Sequence, residues 1–451
     1  MTDRSTSTRP QKPRSVFSAI GLTLVSQGAV VVLGLLSGIL IARLLGAGGK
    51  GDFNTLYITA GVLGLLAELG LRLPTIRMVA SGRLDWKEAV ATLTVIYGAI
   101  CAALLPVATL LLYYMHDRIA HGIPLPILYL ALALTPLILL EFGYVSILNG
   151  MQRTPEGNTV IALEKFVFVC GLMLLVWGGR YGLYGAIIST VSGSFIALIA
   201  ALLILRRLPS HGRFRIRFDV LRELLRFGRS CYATNLATSL NYRLDALLIF
   251  AMLGNVPAGI YSVAVSMAEF AQHLPNSIAQ VHFPSVSGDD TNAEKRTTYL
   301  SRVTVFVLLV ACAGVIAIGY PAIALLYGRE FLSAYGVSLF LLPGMVVLGQ
   351  SKLISIEMTA RGFPHFAARA SWITLGSTVL LDLLLIPCLG IAGAAIASTV
   401  AYTISAVVLF FYYRRLTGAS LRELYSFKRE ELAPIVRRLL HLPGQRTKKV
   451  E

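Results

Sequence analysis

The sequence predicts an all-α polytopic membrane protein with about twelve transmembrane helices in two parallel six-helix lobes. Three observations carry that expectation. The 451 residues are 56% hydrophobic and only 14% charged, with a mean hydropathy of +0.71, whereas soluble domains average about 25% charged. Apolar stretches of about 20 residues recur from Val16 to Tyr413, each long enough for a ~30 Å hydrocarbon core. The chain also matches itself at one constant offset.

In chain order the spans fall at about 16–45, 54–80, 88–115, 122–148, 158–178, 182–205, 228–253, 257–284, 299–327, 333–358, 366–388 and 390–413. Helices are expected because lipid offers the backbone no partners, and the alternation of a barrel strand is absent. Residues 1–15, MTDRSTSTRPQKPRS, form a polar and basic N-terminus. They are not followed by a short apolar core ending in a small-residue cleavage site, so no removable signal is expected.

The net charge of +17 would point to nucleic acid in a soluble protein. Here its placement points elsewhere. The N-terminus, the even-numbered loops and the tail from Arg414 hold 29 Lys and Arg, and the odd-numbered loops hold only Lys50, Arg118, Arg180 and Arg329. The positive-inside rule then puts both termini in the cytoplasm. The excess is topological, with attraction to anionic membrane lipids, and no nucleic-acid partner is expected. The five cysteines, Cys101, Cys170, Cys231, Cys312 and Cys388, lie in apolar spans without CxxC spacing and read as small core residues.

The stretch LLGAGGKGDF, residues 44–53, has the look of a phosphate loop. A Walker A motif needs Gly where Leu44 stands and Ser or Thr where Gly51 stands, so that reading fails. The internal repeat explains the glycines instead. Shifted by 208 residues, this stretch falls on MLGNVPAGIY, with Gly46 on Gly254, Gly51 on Gly259 and Phe53 on Tyr261. The same shift puts GLYGAI (182–187) on GIAGAA (390–395), RRL (206–208) on RRL (414–416), and Arg153 on Arg361. Lys50 falls on Ala258. The glycines therefore predict a tight extracytoplasmic turn, where φ > 0 and close helix approach are needed. Two parallel halves follow, 16–205 and 228–413, usually related by an axis along the membrane normal. A basic cytoplasmic linker, 206–227, joins them, its helix broken at Pro209 and Gly212. Its end, Val220 to Phe227, reads as a basic amphipathic interfacial helix, and a basic tail follows at 414–451.

Several segments carry a family resemblance: ILIARLLGAGGKGDFNTLY, LGLRLPTIRMVA, and NYRLDALLIFAMLGNVPAGIYSVAVSMAEF followed by LPNSIAQVHFPSVS. The loop RMVASGRLDWKE does not match the signature of the major facilitator fold. From about residue 14 to 416 the chain resembles the polysaccharide, or O-antigen, flippases of the multidrug/oligosaccharidyl-lipid/polysaccharide exporter (MOP) superfamily. Asp245, Gly254, Gly259 and Tyr261 are the most specific part. The resemblance implies transfer of a polyprenyl-diphosphate-linked oligosaccharide to the outer leaflet of a bacterial inner membrane, a cationic lumen for the diphosphate, and a polysaccharide polymerase and glycosyltransferases as pathway partners.

Ionisable residues in a span cost ~2.5–3.5 kcal/mol on insertion scales, so each needs a partner or a wet cavity. The mid-span candidates are Glu68, Arg72, Glu141, Glu164, Lys165, Arg243, Asp245, Glu269, His273, Lys352, Glu357 and Asp382. Arg72, Lys165, Arg243 and Lys352 are the expected diphosphate-binding cations. Glu68 and Arg72, four apart, form either a self-neutralising pair on one helix face or part of the lumen. Arg243 and Asp245, two apart, point in different directions. Asp245 orients the helix, a role its place in the family pattern implies, and Arg243 faces the cavity. Glu269 and His273 form either a proton relay or a structural hydrogen bond. Glu68, Glu141, Glu269 and His273 are the ion-coupling candidates.

No nucleophile–base spacing, metal cluster or cofactor motif appears, so the sequence predicts a transporter rather than an enzyme. Two alternatives stay open. A drug/cation antiporter of the same superfamily would favour an acid in span one, and none is there. A membrane glycosyltransferase or ligase would need large outer loops, and the longest here is about ten residues.

Overall fold

The computed structural model describes residues 16–119, 123–210, 212–272 and 293–418. Among these residues every regular element is helical and no strand occurs. Ten stretches within them are long and apolar enough to cross a membrane. The chain divides into two compact units, one of residues up to Gly49 with Leu56–Tyr232, the other of Lys50–Thr55 with the chain from Ala233 onward.

The first unit is built from α1 (Val16–Glu68), α2 (Arg72–Ala80), α3 (Trp86–Ile119), α4 (Leu125–Leu132), α5 (Leu134–Gly150), α6 (Thr154–Gly171) and α7 (Gly182–Arg206). α8 (Phe218–Asn241) begins in it. α5 packs on α2, α3 and α7, and α6 packs on α7. Their inward residues, among them Leu71, Leu93, Tyr97, Leu139, Ile147, Leu148 and Leu205, form one apolar core. The outward faces are apolar too, as Leu174 (73% exposed) and Trp177 (70%) show. Large apolar residues exposed on both sides of a helix are what a hydrocarbon solvent permits.

The spans are less continuous than the apolar runs imply. The 44 apolar residues Val25–Glu68 would run ~66 Å at 1.5 Å per residue, about twice a hydrocarbon core. Their backbone leaves helical angles inside α1 at Gly46 (φ 69°, ψ −173°). The second apolar run, expected as one helix to residue 80, breaks at Leu69 (φ 50°) and Gly70 (φ 69°). Glycine is required at 70 for a second reason. A Cβ there would lie 2.7 Å from the Gly228 carbonyl oxygen, and one at Gly228 would lie 3.0 Å from that of Gly70. Tyr232 seals the junction by donating its hydroxyl to the Leu66 carbonyl at 3.0 Å. The run at 122–148 likewise divides between α4 and α5, and α6 continues as a π-helical turn, Leu172–Gly178.

The second unit holds α9 (Leu244–Leu253), α10 (Asn255–Phe270), α11 (Ala293–Leu326), α12 (Ser333–Ala360), α13 (Pro364–Leu389) and α14 (Ile391–Thr417). α14 packs on α12 and α13, and α10 on α12. At one end Glu357, fully buried, accepts from Arg361 and, at 2.9 Å, from the Tyr413 hydroxyl. The expected span at 257–284 is helical to Phe270; residues 273–292, with the LPNSIAQVHFPSVS stretch, lie outside the described residues, as do 1–15 and 419–451.

In the stretch 44–53 the expected positive φ falls at Gly46, where two helices meet across a kink within α1, and the expected turn is confined to that residue because Gly49, Lys50 and Gly51 are helical. Gly51 is needed for close approach alone: a Cβ there would run into the Asn255 carbonyl and lie 2.9 Å from the Gly259 nitrogen. Lys50, expected in an outer loop, is only 6% exposed, its Nζ 5.8 Å from the ring centroid of Tyr327. The repeat shows in the backbone itself. Gly46 and Gly254 take φ of 69° and 90°, and Gly182 and Gly390, also 208 apart, take 53° and 60°. The cysteines divide: Cys101 and Cys312 are buried as expected, but Cys170 and Cys388 are exposed on the outward faces of their helices.

Candidate functional site

In the first unit the charged residues converge on α5 and α6. Glu141 is 5% exposed and Glu164 8%. Lys165 Nζ donates to Glu164 at 3.3 Å, and the Ser194 hydroxyl of α7 reaches the same carboxylate at 3.5 Å. Lys165 Nζ also stands 5.7 Å from the ring centroid of Tyr57. Glu141 is within electrostatic range of both Glu164 and Lys165. The expected diphosphate-binding cation Lys165 is therefore shared by two buried carboxylates, which lowers the cost of holding all three in the span.

Glu68 and Arg72 do not share a helix face. α1 ends at Glu68 and α2 starts at Arg72, so the i,i+4 geometry the spacing implied is interrupted at Leu69 and Gly70. The Arg72 guanidinium, exposed, lies 5.6 Å from the ring centroid of Phe142 on α5, a cation–π distance.

In the second unit Asp245 is the central acceptor. Its carboxylate takes the Tyr261 hydroxyl at 2.6 Å, its own helix's Ala246 N–H at 3.0 Å, and the Ser398 hydroxyl at 3.3 Å. One residue thereby ties α9 to α10 and α14. Arg243 is set apart from it by a break. The backbone turns at Tyr242–Arg243, where α8 ends and α9 begins, and Arg243 stands at the helix start with φ −127° and ψ −27°. Its side chain is half-buried, and among the described residues it makes no hydrogen bond or ion pair.

Lys352 lies 5.7 Å from the ring centroid of Tyr242 and within electrostatic range of Glu269. Glu269 in turn feels Asp245. His273 lies outside the described residues, so the Glu269–His273 pair is not described. Asp382 of α13 is fully buried, neither of its oxygens has a hydrogen-bond partner among the described residues, and it is within electrostatic range of Asp245. One turn earlier, Thr378 donates to Asn241 at 2.7 Å. The repeat-related arginines sit at helix ends: Arg153 precedes α6 and pairs with Glu156 at 2.8 Å, and Arg361 ends α12 against Glu357. Gly254 caps α10 with positive φ, and Gly259 lies buried in that helix.

The structure thus separates the four expected cations. Lys165, Lys352 and Arg72 each lie near an aromatic ring and within electrostatic range of a carboxylate, which for Arg72 is Glu68, whereas Arg243 makes no hydrogen bond or ion pair among the described residues. The sequence marked Asp382 as an intramembrane charge but gave it no role. It missed Tyr57, Ser194, Asn241, Thr378 and Ser398, since a neutral polar residue in an apolar run carries no distinguishing signal.

A family profile described as "Polysaccharide biosynthesis protein" matches residues 17–288. The chain belongs to that family. The probable low-salt glycan biosynthesis flippase Agl15 of Haloferax volcanii is 24% identical over 387 residues, covering 82% of this chain and 78% of that protein. The probable flippase AglR of the same organism is 26% identical over 178 residues, covering 37% and 36%. Among solved structures, the lipid II flippase MurJ in an inward closed conformation matches with a TM-score of 0.75 at 16% identity, over 94% of this chain and 93% of that one. An inward-facing multidrug resistance MATE transporter matches with a TM-score of 0.66 at 14% identity, over 86% and 96%. This member of the polysaccharide biosynthesis family therefore shares its fold with those two solved structures.

Proposed function

We propose that the chain is a glycan flippase. It moves a polyprenyl-diphosphate-linked oligosaccharide across the bacterial inner membrane by alternating access, for surface polysaccharide assembly. Family membership and the flippases among its relatives support the class. One observation carries the diphosphate: Arg243 lies within an apolar span and, among the described residues, has no acid paired with it. A guanidinium held in a span calls for an anion, and a diphosphate offers it paired oxygens. Arg72, Lys165 and Lys352 are the further proposed diphosphate contacts. Glu141 and Glu269, which already share Lys165 and Lys352 with other groups, are the proposed coupling residues beside Glu68 and His273.

The test is binding by the purified full chain in detergent. A polyprenyl diphosphate should bind at least ten-fold more tightly than the matching polyprenyl alcohol, since each charged hydrogen bond contributes about 1.5–3 kcal/mol. Equal binding of the alcohol would remove the diphosphate from the reading. Tighter binding of a lipophilic organic cation would favour the antiporter alternative.

The proposed topology is twelve crossings in two six-helix lobes, 16–205 and 228–413, with both termini in the cytoplasm. Cysteines at Val256 and at position 122 should react with a membrane-impermeant thiol reagent from outside intact cells. Cysteines at Gly212 and Gln445 should react only after permeabilisation. An externally labelled Gly212→Cys would overturn both the crossing count and the charge argument.

A further inference from the structure

The end of α7, the segment joining it to α8 and the first turns of α8 present cations that make no hydrogen bond or ion pair among the described residues. They run from Arg206, the last residue of one candidate span, to before Tyr232, the first of the next. The segment is fixed to the first unit by a specific set of contacts. Trp86 Nε1 donates to the Pro209 carbonyl at 3.3 Å, and the Ser210 hydroxyl donates to Asp85 at 2.7 Å. Arg217 reaches Glu88 at 3.1 Å and grips Asp219 with two nitrogens, at 2.9 and 2.7 Å. Arg83 holds Glu223 at 2.6 Å. Hydrogen bonding from Arg217 holds the Asp219 carboxyl down to about 2, so that clamp is intact at any physiological pH and is lost only as the pH falls through that value. Val220 and Leu224, one turn apart, anchor α8 in the apolar core.

These contacts occupy all four carboxylates near the segment: Asp85, Glu88, Asp219 and Glu223. Arg206, Arg207, Arg213, Arg215, Arg222 and Arg226 remain. All six are exposed, and none makes a hydrogen bond or ion pair among the described residues. Interleaved with them are two apolar side chains turned outward, Phe214 (61% exposed) and Leu225 (38% exposed). Phe214 is held edge-on to Trp86 with centroids 5.9 Å apart, which fixes where its ring projects.

We propose that this segment is a binding surface for anionic phospholipid headgroups. The six arginines take headgroup phosphates, and Phe214 and Leu225 sit at the boundary between headgroups and acyl chains. Positive charge alone would serve topology during insertion. Three features fit a lipid surface beyond that: the nearby acids Glu88, Asp219 and Glu223 are already ion-paired within the protein, an aromatic and a leucine turn outward, and the segment lies at the end of a span. Each basic residue near an anionic surface contributes attraction that falls off within a Debye length. This goes beyond transport and does not depend on the proposed substrate.

The experiment is hydrogen exchange on the full chain in nanodiscs of phosphatidylcholine, alone or with one-third phosphatidylglycerol. Amides of residues 207–226 should exchange roughly ten-fold more slowly with phosphatidylglycerol, and high salt should reverse the effect. In the combined variant Arg213→Gln, Arg215→Gln, Arg222→Gln and Arg226→Gln the difference should vanish, while thermal stability in phosphatidylcholine stays unchanged because these exposed side chains make no hydrogen bond or ion pair among the described residues. Equal exchange in the two lipids would overturn the inference. So would a variant that still responds to phosphatidylglycerol. Protection reproduced by inorganic pyrophosphate in phosphatidylcholine would also overturn it, by assigning the arginines to a soluble anion.

Discussion

Arg243→Ala should abolish glycan export in a strain lacking the native transporter, while the protein still reaches the membrane at its normal level. The side chain has no internal hydrogen bond among the described residues, so its loss removes no packing network and the fold should stand. What disappears is the interaction with the proposed diphosphate. At about 1.5–3 kcal/mol for each charged hydrogen bond, substrate binding should weaken ten-fold or more. Arg243→Lys should recover part of the export, because it keeps the charge and loses the two-pronged geometry. The measurement is surface glycan against protein level in the same cells. Normal export by well-expressed Arg243→Ala would move the assignment to Arg72, Lys165 and Lys352.

Gly51→Val should prevent stable folding of the second unit. The helix there is pressed against α10 so closely that even one added carbon meets the Asn255 carbonyl. Overpacking of this kind costs about 1–3 kcal/mol for a single group, and valine adds three carbons against a backbone that has no rotamer to yield. Beside it, Asn255 Nδ2 donates to Asp52 at 3.4 Å, a contact that separation of the helices would also lose. Lys50→Met is the control: it keeps the buried stem, drops the cation–π contact worth about 0.5–2 kcal/mol, and should leave export intact. Membrane protein yield and melting temperature in detergent are the readouts. A Gly51→Val protein with wild-type yield and melting temperature would show that α1 and α10 separate at no cost.

The fold class was legible because apolar length alone specifies a helix in lipid. The helix breaks were not. Pro74 and Pro136 lie a few residues after the breaks at Leu69–Gly70 and Ala133, a local signal that does not fix where the backbone turns, while Tyr242–Arg243 interrupts a run with no proline at all. Gly228 meets Gly70 from 158 positions away, a distance no local pattern reports. The same limit applies to the charged groups. Lys165 beside Glu164 could be read from adjacency. The three donors on Asp245 come from α9, α10 and α14, and only Tyr261 had been singled out, as a motif position rather than a partner. The Glu68–Arg72 spacing was read through a helix that is not continuous. Arg243 was recognised as an intramembrane cation, but its separation from Asp245 arises from a backbone turn.

The paired glycines at 46 and 254, and at 182 and 390, mark what the two matching stretches of chain have in common. Side chains elsewhere in them differ: Phe53 answers to Tyr261, and Ser37 stands 208 residues before Asp245. The four corners are held by stereochemistry, because an L-residue with a Cβ is penalised at positive φ. What recurs is thus a handedness at fixed places along the chain. On it, one stretch carries a carboxylate gripped by a tyrosine and a serine, and the other a charged group of two glutamates and a lysine. The backbone bends at matching places, and the chemistry set on those bends differs.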